Sequence, residues 1–247
     1  MANVSCVVFA VKYLNVTEVT EKRIIEVGSH DIAGSLRPII ESWHPAEYVG
    51  IDIEMGPGVD VVLKAEDITR KFGKDSFDLV ISTEVLEHVR DWREVVTNIK
   101  NVCKPNGIML ISTRSFGYGY HAYPHDFWRY ELQDMREIFS DCVILALEND
   151  SQSPGVFIKA KKPTRYVERD LSDYELYSIV IGKRCKDVTD KELRNFNLVR
   201  SLAKEKLINV SKHALSLLTG GAYRIVLIRE SPAHKKTLAR HPWEWME

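Results

Sequence analysis

Between Arg23 and Ala160, short runs rich in β-formers alternate with stretches whose apolar positions recur every three or four residues. That alternation predicts a mostly parallel sheet covered by helices on both faces. Strands are predicted at Arg23–Val27, Tyr48–Ile53, Val59–Leu63, Phe77–Ser82, Ile108–Thr113, Cys142–Leu147 and Val156–Ala160. Helices are predicted at Gly34–Trp43, Val85–His88, Trp92–Cys103 and Leu132–Phe139, with another at Ser5–Leu14 ahead of the first strand. Only a loop with Pro154 and Gly155 separates the last two strands, so the sheet should finish on an antiparallel step. After Pro163 the pattern changes, with a strongly helical stretch over Asp187–Leu218 and a short strand over Tyr223–Arg229. The expected organisation is an α/β domain over 1–162 followed by a mostly helical appendage over 163–247.

Composition adds little to that picture, but charge adds something. The chain has 247 residues, 45% of them hydrophobic, enough for one α/β domain with a real core. No apolar run approaches the roughly 20 residues that span a bilayer, and Ser5–Leu14 lacks the basic flank and small-residue cleavage site of a signal peptide. A cytoplasmic protein without membrane insertion is expected. Cys6, Cys103, Cys142 and Cys185 form no CxxC pair, which suggests reduced, structural thiols. Residues 1–160 carry 16 Lys/Arg against 24 Asp/Glu, whereas 161–247 carry 18 against 11. A basic tail fits a solvated helical surface, or an acidic partner such as nucleic acid, an anionic glycan precursor or a membrane surface. Oligomeric state is not legible.

Four motifs carry chemistry. Glu26-Val27-Gly28-Ser29-His30-Asp31-Ile32-Ala33-Gly34 ends a strand on glycine and leads towards a helix, so a ligand can lie on bare backbone there. A pyrophosphate would demand glycine at two further places, now His30 and Ala33; a nucleoside without phosphate would not. Asp52 closes the next strand, where a carboxylate can accept both ribose hydroxyls. Phe77-Asp78-Leu79-Val80 runs on to Glu84-Val85-Leu86-Glu87-His88-Val89, and Lys104-Pro105-Asn106-Gly107 follows the amphipathic helix.

In this order the motifs resemble class I S-adenosylmethionine-dependent methyltransferases, especially the large type 11 group, over about residues 20–160. The resemblance implies a Rossmann-like seven-stranded sheet of order 3-2-1-4-5-7-6 and S-adenosylmethionine as cofactor. It implies that Glu26, Gly28 and Ser29 shape the methionine and ribose pocket, and that Asp52 and Ile53 hold the ribose. Ala65, Glu66 and Asp67 would lie beside adenine, and Thr83 and Glu84 would line the donor methyl. The chain departs from the family at His30, where a glycine is usual, and at Lys64, where an acidic residue is.

If the segment is helical from Glu84, then Glu84, Glu87 and His88 share one face. A similar arrangement binds a divalent ion in some O-methyltransferases, and His121 or His125 is available as a fourth ligand. The simpler reading, favoured here, is metal-free: a helix start with favourable acids and a packed histidine. The stretch Ser115–Tyr130 holds four tyrosines, a tryptophan, two histidines and an Asp/Arg pair, and Gly117 and Gly119 give it the look of a lid. Its His-Asp-Phe-Trp-Arg-Tyr segment is similar to that of type 11 enzymes near polysaccharide pathways. It makes Tyr123, Asp126, Trp128 and Arg129 the expected acceptor contacts, or else an aromatic plug.

Methyl transfer from a sulfonium mainly needs an aligned acceptor and a dry site. An oxygen acceptor also needs deprotonation, for which His88, His121 and His125 are the candidates. The expected function is O-methylation of a small-molecule or sugar/glycan-precursor acceptor. The alternatives are an RNA methyltransferase using the basic C-terminal region and a catalytically silent S-adenosylmethionine-binding module. A nicotinamide oxidoreductase is disfavoured by the incomplete glycine loop. No Asn-Pro-Pro-Tyr-like segment or catalytic cysteine motif points to base modification.

Overall fold

The computed structural model describes residues 2–122, 125–201 and 203. The chain forms two compact units, Met1–Leu193 and Arg194–Glu247. Of the second, the described residues are helical.

In the first unit the strands are β1 (Arg23–Val27), β2 (Glu47–Asp52), β3 (Val61–Val62), β4 (Phe77–Thr83), β5 (Cys103–Arg114), β6 (Trp128–Arg129), β7 (Val143–Asn149), β8 (Gly155–Lys161), β9 (Leu176–Ser178) and β10 (Lys183–Cys185). Seven of them form one sheet in the order β3-β2-β1-β4-β5-β8-β7, and β10-β9-β6 form a second. With β6 set aside in its own sheet, the main order is the expected 3-2-1-4-5-7-6. β1 is flanked in parallel by β2 and β4, and β4 by β5. β8 runs antiparallel between β5 and β7, as the short Pro154–Gly155 connection requires. Ile24, Ile25, Leu79, Val80 and Ile81 are completely buried because β1 and β4 are covered on both faces.

The helices are α1 (Val4–Tyr13), α2 (Arg37–Glu41), α3 (Ile68–Phe72), α4 (Trp92–Val102) and α5 (Leu132–Ile138). Asn3 caps α1 by accepting the Cys6 N–H at 3.0 Å. α1 buries Cys6, Phe9 and Ala10, and Phe9 stacks on Phe157 of β8 with ring centroids 5.0 Å apart. Among the described residues no helix is long and apolar enough to cross a membrane. All four cysteines are free.

Several elements differ from expectation. The predicted Gly34–Trp43 helix is shortened to α2, since Gly34 has φ +131° and Pro38 sits in the first turn. Val59–Leu63 contracts to the two residues of β3, an edge strand that follows the turn-forming Gly56-Pro57-Gly58. The predicted Val85–His88 helix is a single 3-10 turn, Leu86–His88. α3, β6, β9 and β10 were not expected. Residues 163–193 lie within the first unit, where β9 pairs antiparallel with β6. A helix begins at Asp190, but the later part of Asp187–Leu218 and the expected strand Tyr223–Arg229 lie outside the described residues.

Strand order reverses between β1 and β4, because β1 leads outward to β2 and β3 while β4 leads the other way to β5. Open α/β sheets bind ligands at the carboxyl ends of the strands flanking such a reversal. The segments after β1, β2, β3 and β4 therefore share one edge, and they contain the expected cofactor residues.

Candidate active site

Gly28 closes β1 with φ +79°, and a Cβ there would collide with Val85 Cγ2, so both backbone and space demand glycine. The Gly28 and Ser29 N–H groups donate to Ile51 C=O at 2.9 and 3.0 Å, which ties this loop to β2. His30 N–H donates to Asp52 Oδ2 at 3.1 Å. The His30 ring lies against Gly56, where any Cβ would strike it. The bulky residue in a usual glycine position is thus accommodated by a glycine in the facing loop.

Asp52 Oδ1 also accepts the Ile53 N–H at 2.7 Å, so the carboxylate is held by main chain on both oxygens. Glu26 is 2% exposed and accepts the Tyr48 hydroxyl at 2.7 Å; burial pushes its carboxyl up to about 7. The hydroxyls of Ser29 and Ser82 are buried with no hydrogen-bond partner among the described residues. Ser29 follows β1 and Ser82 lies near the end of β4, so this edge holds unsatisfied polar groups that a polar ligand could meet. Ala65, Glu66 and Asp67 form a single turn after β3; Glu66 C=O accepts Asn98 Nδ2–H at 2.9 Å, and Asp67 pairs with Arg70 at 2.9 Å. Thr83, 2% exposed, ends β4.

At Glu84 the chain turns with φ +56°, and this positive φ is what prevents a helix from starting there. The condition for Glu84, Glu87 and His88 to share one helical face, a helix starting at Glu84, is therefore not met. Glu84 points towards β5, accepting Ser112 Oγ–H at 2.9 Å and pairing with the Arg114 guanidinium. Burial and the nearby Glu87 carboxylate push Glu84 up to about 7 against the pull of Arg114. Glu87 is fully buried: Thr113 Oγ1 donates to its Oε2 at 2.9 Å, and burial raises its pKa as well.

His88 meets His121 instead. Their Nε2 atoms are 3.2 Å apart, and Glu87 Oε1 lies 3.7 Å from His88 Nε2. His88 Nδ1 is 2.6 Å from His125 C=O, and His121 Nδ1 is 3.0 Å from Asp126 Oδ2. Burial first, then the neighbouring His121, lowers His88 to about 4. His125 is lowered by burial and by His88, and its ring lies 6.1 Å from that of Phe127.

The expected acceptor contacts Asp126, Trp128 and Arg129 are buried. Asp126 and Trp128 are 0% exposed and Arg129 is 1% exposed. Arg129 donates to both Asp126 oxygens at 2.6 and 2.9 Å, and to the carbonyls of Tyr118, Gly119 and Trp128. Trp128 Nε1–H is shared between Val89 and Arg90 carbonyls at 3.0 and 3.1 Å. With the side-chain nitrogens of Arg129 and Trp128 spent internally, neither these two nor Asp126 is free to grip an acceptor; they brace the segment after β5. Although burial opposes it, the hydrogen bonds from Arg129 and His121 hold Asp126 well below the ordinary carboxylate range. Tyr123 lies outside the described residues. Sequence reasoning missed Arg114, whose guanidinium pairs with Glu84 and lies 4.1 Å from the Tyr118 ring centroid. An arginine closing the strand directly after Ser112 and Thr113 was the available signal.

A sheet of this order, with a glycine-ended β1 and an acid-ended β2 on one edge, is that of class I S-adenosylmethionine-dependent methyltransferases. Residues 10–141 match the family model described as a methyltransferase domain, and the chain belongs to that family. No curated protein matches the sequence. Among solved structures, the Haloferax volcanii complex of the Trm112 methyltransferase activator with a putative methyltransferase aligns at TM-score 0.54 and 14% identity, covering 66% of this chain and 91% of that one. The 1,6-didemethyltoxoflavin-N1-methyltransferase of Burkholderia thailandensis, solved with 1,6-didemethyltoxoflavin and S-adenosylhomocysteine, aligns at TM-score 0.51 and 11% identity over 64% of this chain and 78% of that one. A methyltransferase from Mesorhizobium loti aligns at TM-score 0.48 and 17% identity, covering 62% and 96%.

Proposed function

We propose that the protein transfers the methyl group of S-adenosylmethionine to an oxygen of a small-molecule or sugar/glycan-precursor acceptor. The observation that carries the choice of oxygen is the histidine pair: both Nδ1 atoms lie against acceptors, so both Nε2 atoms offer lone pairs beside the end of β4. A hydroxyl must shed its proton to become nucleophilic, and such lone pairs are what it needs.

The residues present fit the cofactor. The buried Ser29 and Ser82 hydroxyls, without partners among the described residues, would meet a polar ligand at this edge. In this reading Asp52, with Ile53, accepts the ribose hydroxyls, Glu26 faces the methionine ammonium, and Ala65, Glu66 and Asp67 border adenine. Thr83 and Glu84 border the reacting methyl. Bound there, the cofactor supplies a methyl group on a sulfonium, ready for displacement. The chain's share is alignment and dryness: Glu84 is fixed by Ser112 and Arg114, and Asp126, Trp128 and Arg129 hold the lid that carries His121. His125 enters as a positioning residue through the carbonyl that orients His88.

Calorimetric titration with S-adenosylmethionine and S-adenosylhomocysteine tests the cofactor site. Asp52→Ala should weaken binding by about 1.5–3 kcal/mol, the range for hydrogen bonds to a charged group. An unchanged dissociation constant would remove Asp52 from the site. Transfer of labelled methyl groups to matched panels of hydroxyl and amine acceptors tests the chemistry, and products found only on nitrogen would overturn the oxygen reading.

A further inference from the structure

The geometry points to a divalent transition-metal site made by Glu87, His88 and His121, suited to Mn²⁺, Fe²⁺ or Zn²⁺. One ligand atom from each residue lies within 4.8 Å of the others. The two Nε2 atoms are 3.2 Å apart. Because His88 Nδ1 faces the His125 carbonyl and His121 Nδ1 faces the Asp126 carboxylate, each Nδ1 carries the hydrogen and each Nε2 its lone pair. Two lone pairs aimed at each other repel unless a positive centre lies between them. Metal–nitrogen bonds of about 2.0–2.1 Å at tetrahedral or octahedral angles put two such nitrogens roughly 2.9–3.4 Å apart, which includes the distance seen.

Glu87 supplies the second, independent observation. It is 0% exposed, and its Oε1 accepts no hydrogen bond among the described residues while lying 3.7 Å from His88 Nε2. A buried carboxylate oxygen without a partner is costly, and a cation at the histidine pair would satisfy it. Behind the ligands lies the support that metal-bound histidines usually have. Asp126, itself gripped by Arg129, orients His121, and the His125 carbonyl orients His88. The two segments are also fastened together: Phe127 N–H donates to Glu87 C=O at 2.8 Å and Tyr130 Oη–H to Leu86 C=O at 3.1 Å. His121 and His88 side chains keep 29% and 21% exposure, which leaves a route for the ion and room for further ligands. Two imidazoles with one carboxylate favour borderline transition metals over Mg²⁺. Glu84 is outside the set because Ser112 and Arg114 hold it.

The consequence for catalysis rests on the acceptor reading above. An acceptor hydroxyl bound to the ion would have its pKa lowered there and would lose its proton to solvent, so the imidazoles would act as ligands rather than as free bases. Metal binding itself does not depend on that reading, and the test separates the two. The full chain, stripped with EDTA, is titrated with Co²⁺ and followed by visible absorption, and with Mn²⁺ or Zn²⁺ by calorimetry, in the absence of acceptor. One ion per chain is expected, with the Co²⁺ band of mixed nitrogen and oxygen ligation. His121→Ala and His88→Ala should each weaken binding at least tenfold, and Asp126→Asn by about 10–100-fold. Glu84→Gln should leave metal affinity within about twofold. Circular dichroism and S-adenosylhomocysteine affinity check that each variant is folded. Absence of a Co²⁺ band in the wild-type chain would overturn the site, as would affinity unchanged in the His88→Ala/His121→Ala chain. Co²⁺ ligation with methylation only of amines would instead sink the acceptor reading and keep the metal.

Discussion

Glu26 lies in β1 with its carboxyl sealed from water beside the Tyr48 hydroxyl, and burial raises its pKa to about 7. A raised carboxylate favours the protonated folded state, so this contribution to stability is complete below the unfolded pKa and is lost as pH rises through about 7. Cofactor binding should show the opposite trend, because an ammonium placed against Glu26 needs the ionised form. The dissociation constant for S-adenosylmethionine should be about tenfold weaker at pH 6 than at pH 8, and Glu26→Gln should be weak and flat across that range. Equal pH profiles for the two proteins would take Glu26 out of contact with the ammonium. Single residues were legible from the sequence where chemistry is local. A glycine ending a strand and an acid ending the next announced themselves at Gly28 and Asp52. Val85 filling the space over Gly28, Gly56 housing His30 and Arg114 meeting Glu84 did not, because each partner arrives from another part of the chain.

For Ser115–Tyr130 the sequence left two readings open, an acceptor grip and an aromatic plug. His-Asp-Phe-Trp-Arg-Tyr looked like an acceptor grip because aromatic and charged groups crowd there. In the fold, β6 pairs with β9, and Asp126, Trp128 and Arg129 turn inward as a buried brace. Removing one member of a buried pair strands the other, so Arg129→Ala should lower unfolding free energy by about 3–5 kcal/mol in urea titrations. Cofactor affinity measured in the absence of urea should change far less than stability. A midpoint indistinguishable from wild type would show that Asp126 does not depend on Arg129. The segment after β4 shows the same limit of chain spacing. Spacing placed Glu84, Glu87 and His88 on one helical face, but Glu84 at positive φ, with its N–H given to Ser112 C=O at 3.0 Å, leaves room only for a 3-10 turn.

At the scale of the whole molecule, the division of the chain follows the second sheet. We expect a chain ending after Leu193 to unfold cooperatively and to bind S-adenosylhomocysteine as the full chain does. A chain ending at residue 162 loses β9 and the carbonyls of Leu171, Tyr174, Lys186 and Val188 that accept from Arg93 and Arg90, so its melting temperature should fall by several degrees. Calorimetric scans of both decide the matter, and equal melting temperatures would support the boundary read from the pattern change near Pro163. By itself the sequence determined the alternation of strands and helices, the parallel core, the antiparallel finish and the two motifs at the ends of β1 and β2. Each is written in periodicity or in a short contiguous run. Only the tertiary structure decided that His88 meets His121, that Glu84 is held by Ser112 and Arg114, and that residues after 163 return to pair with β6. Those contacts join segments about 30 or more positions apart, and chain spacing does not record them.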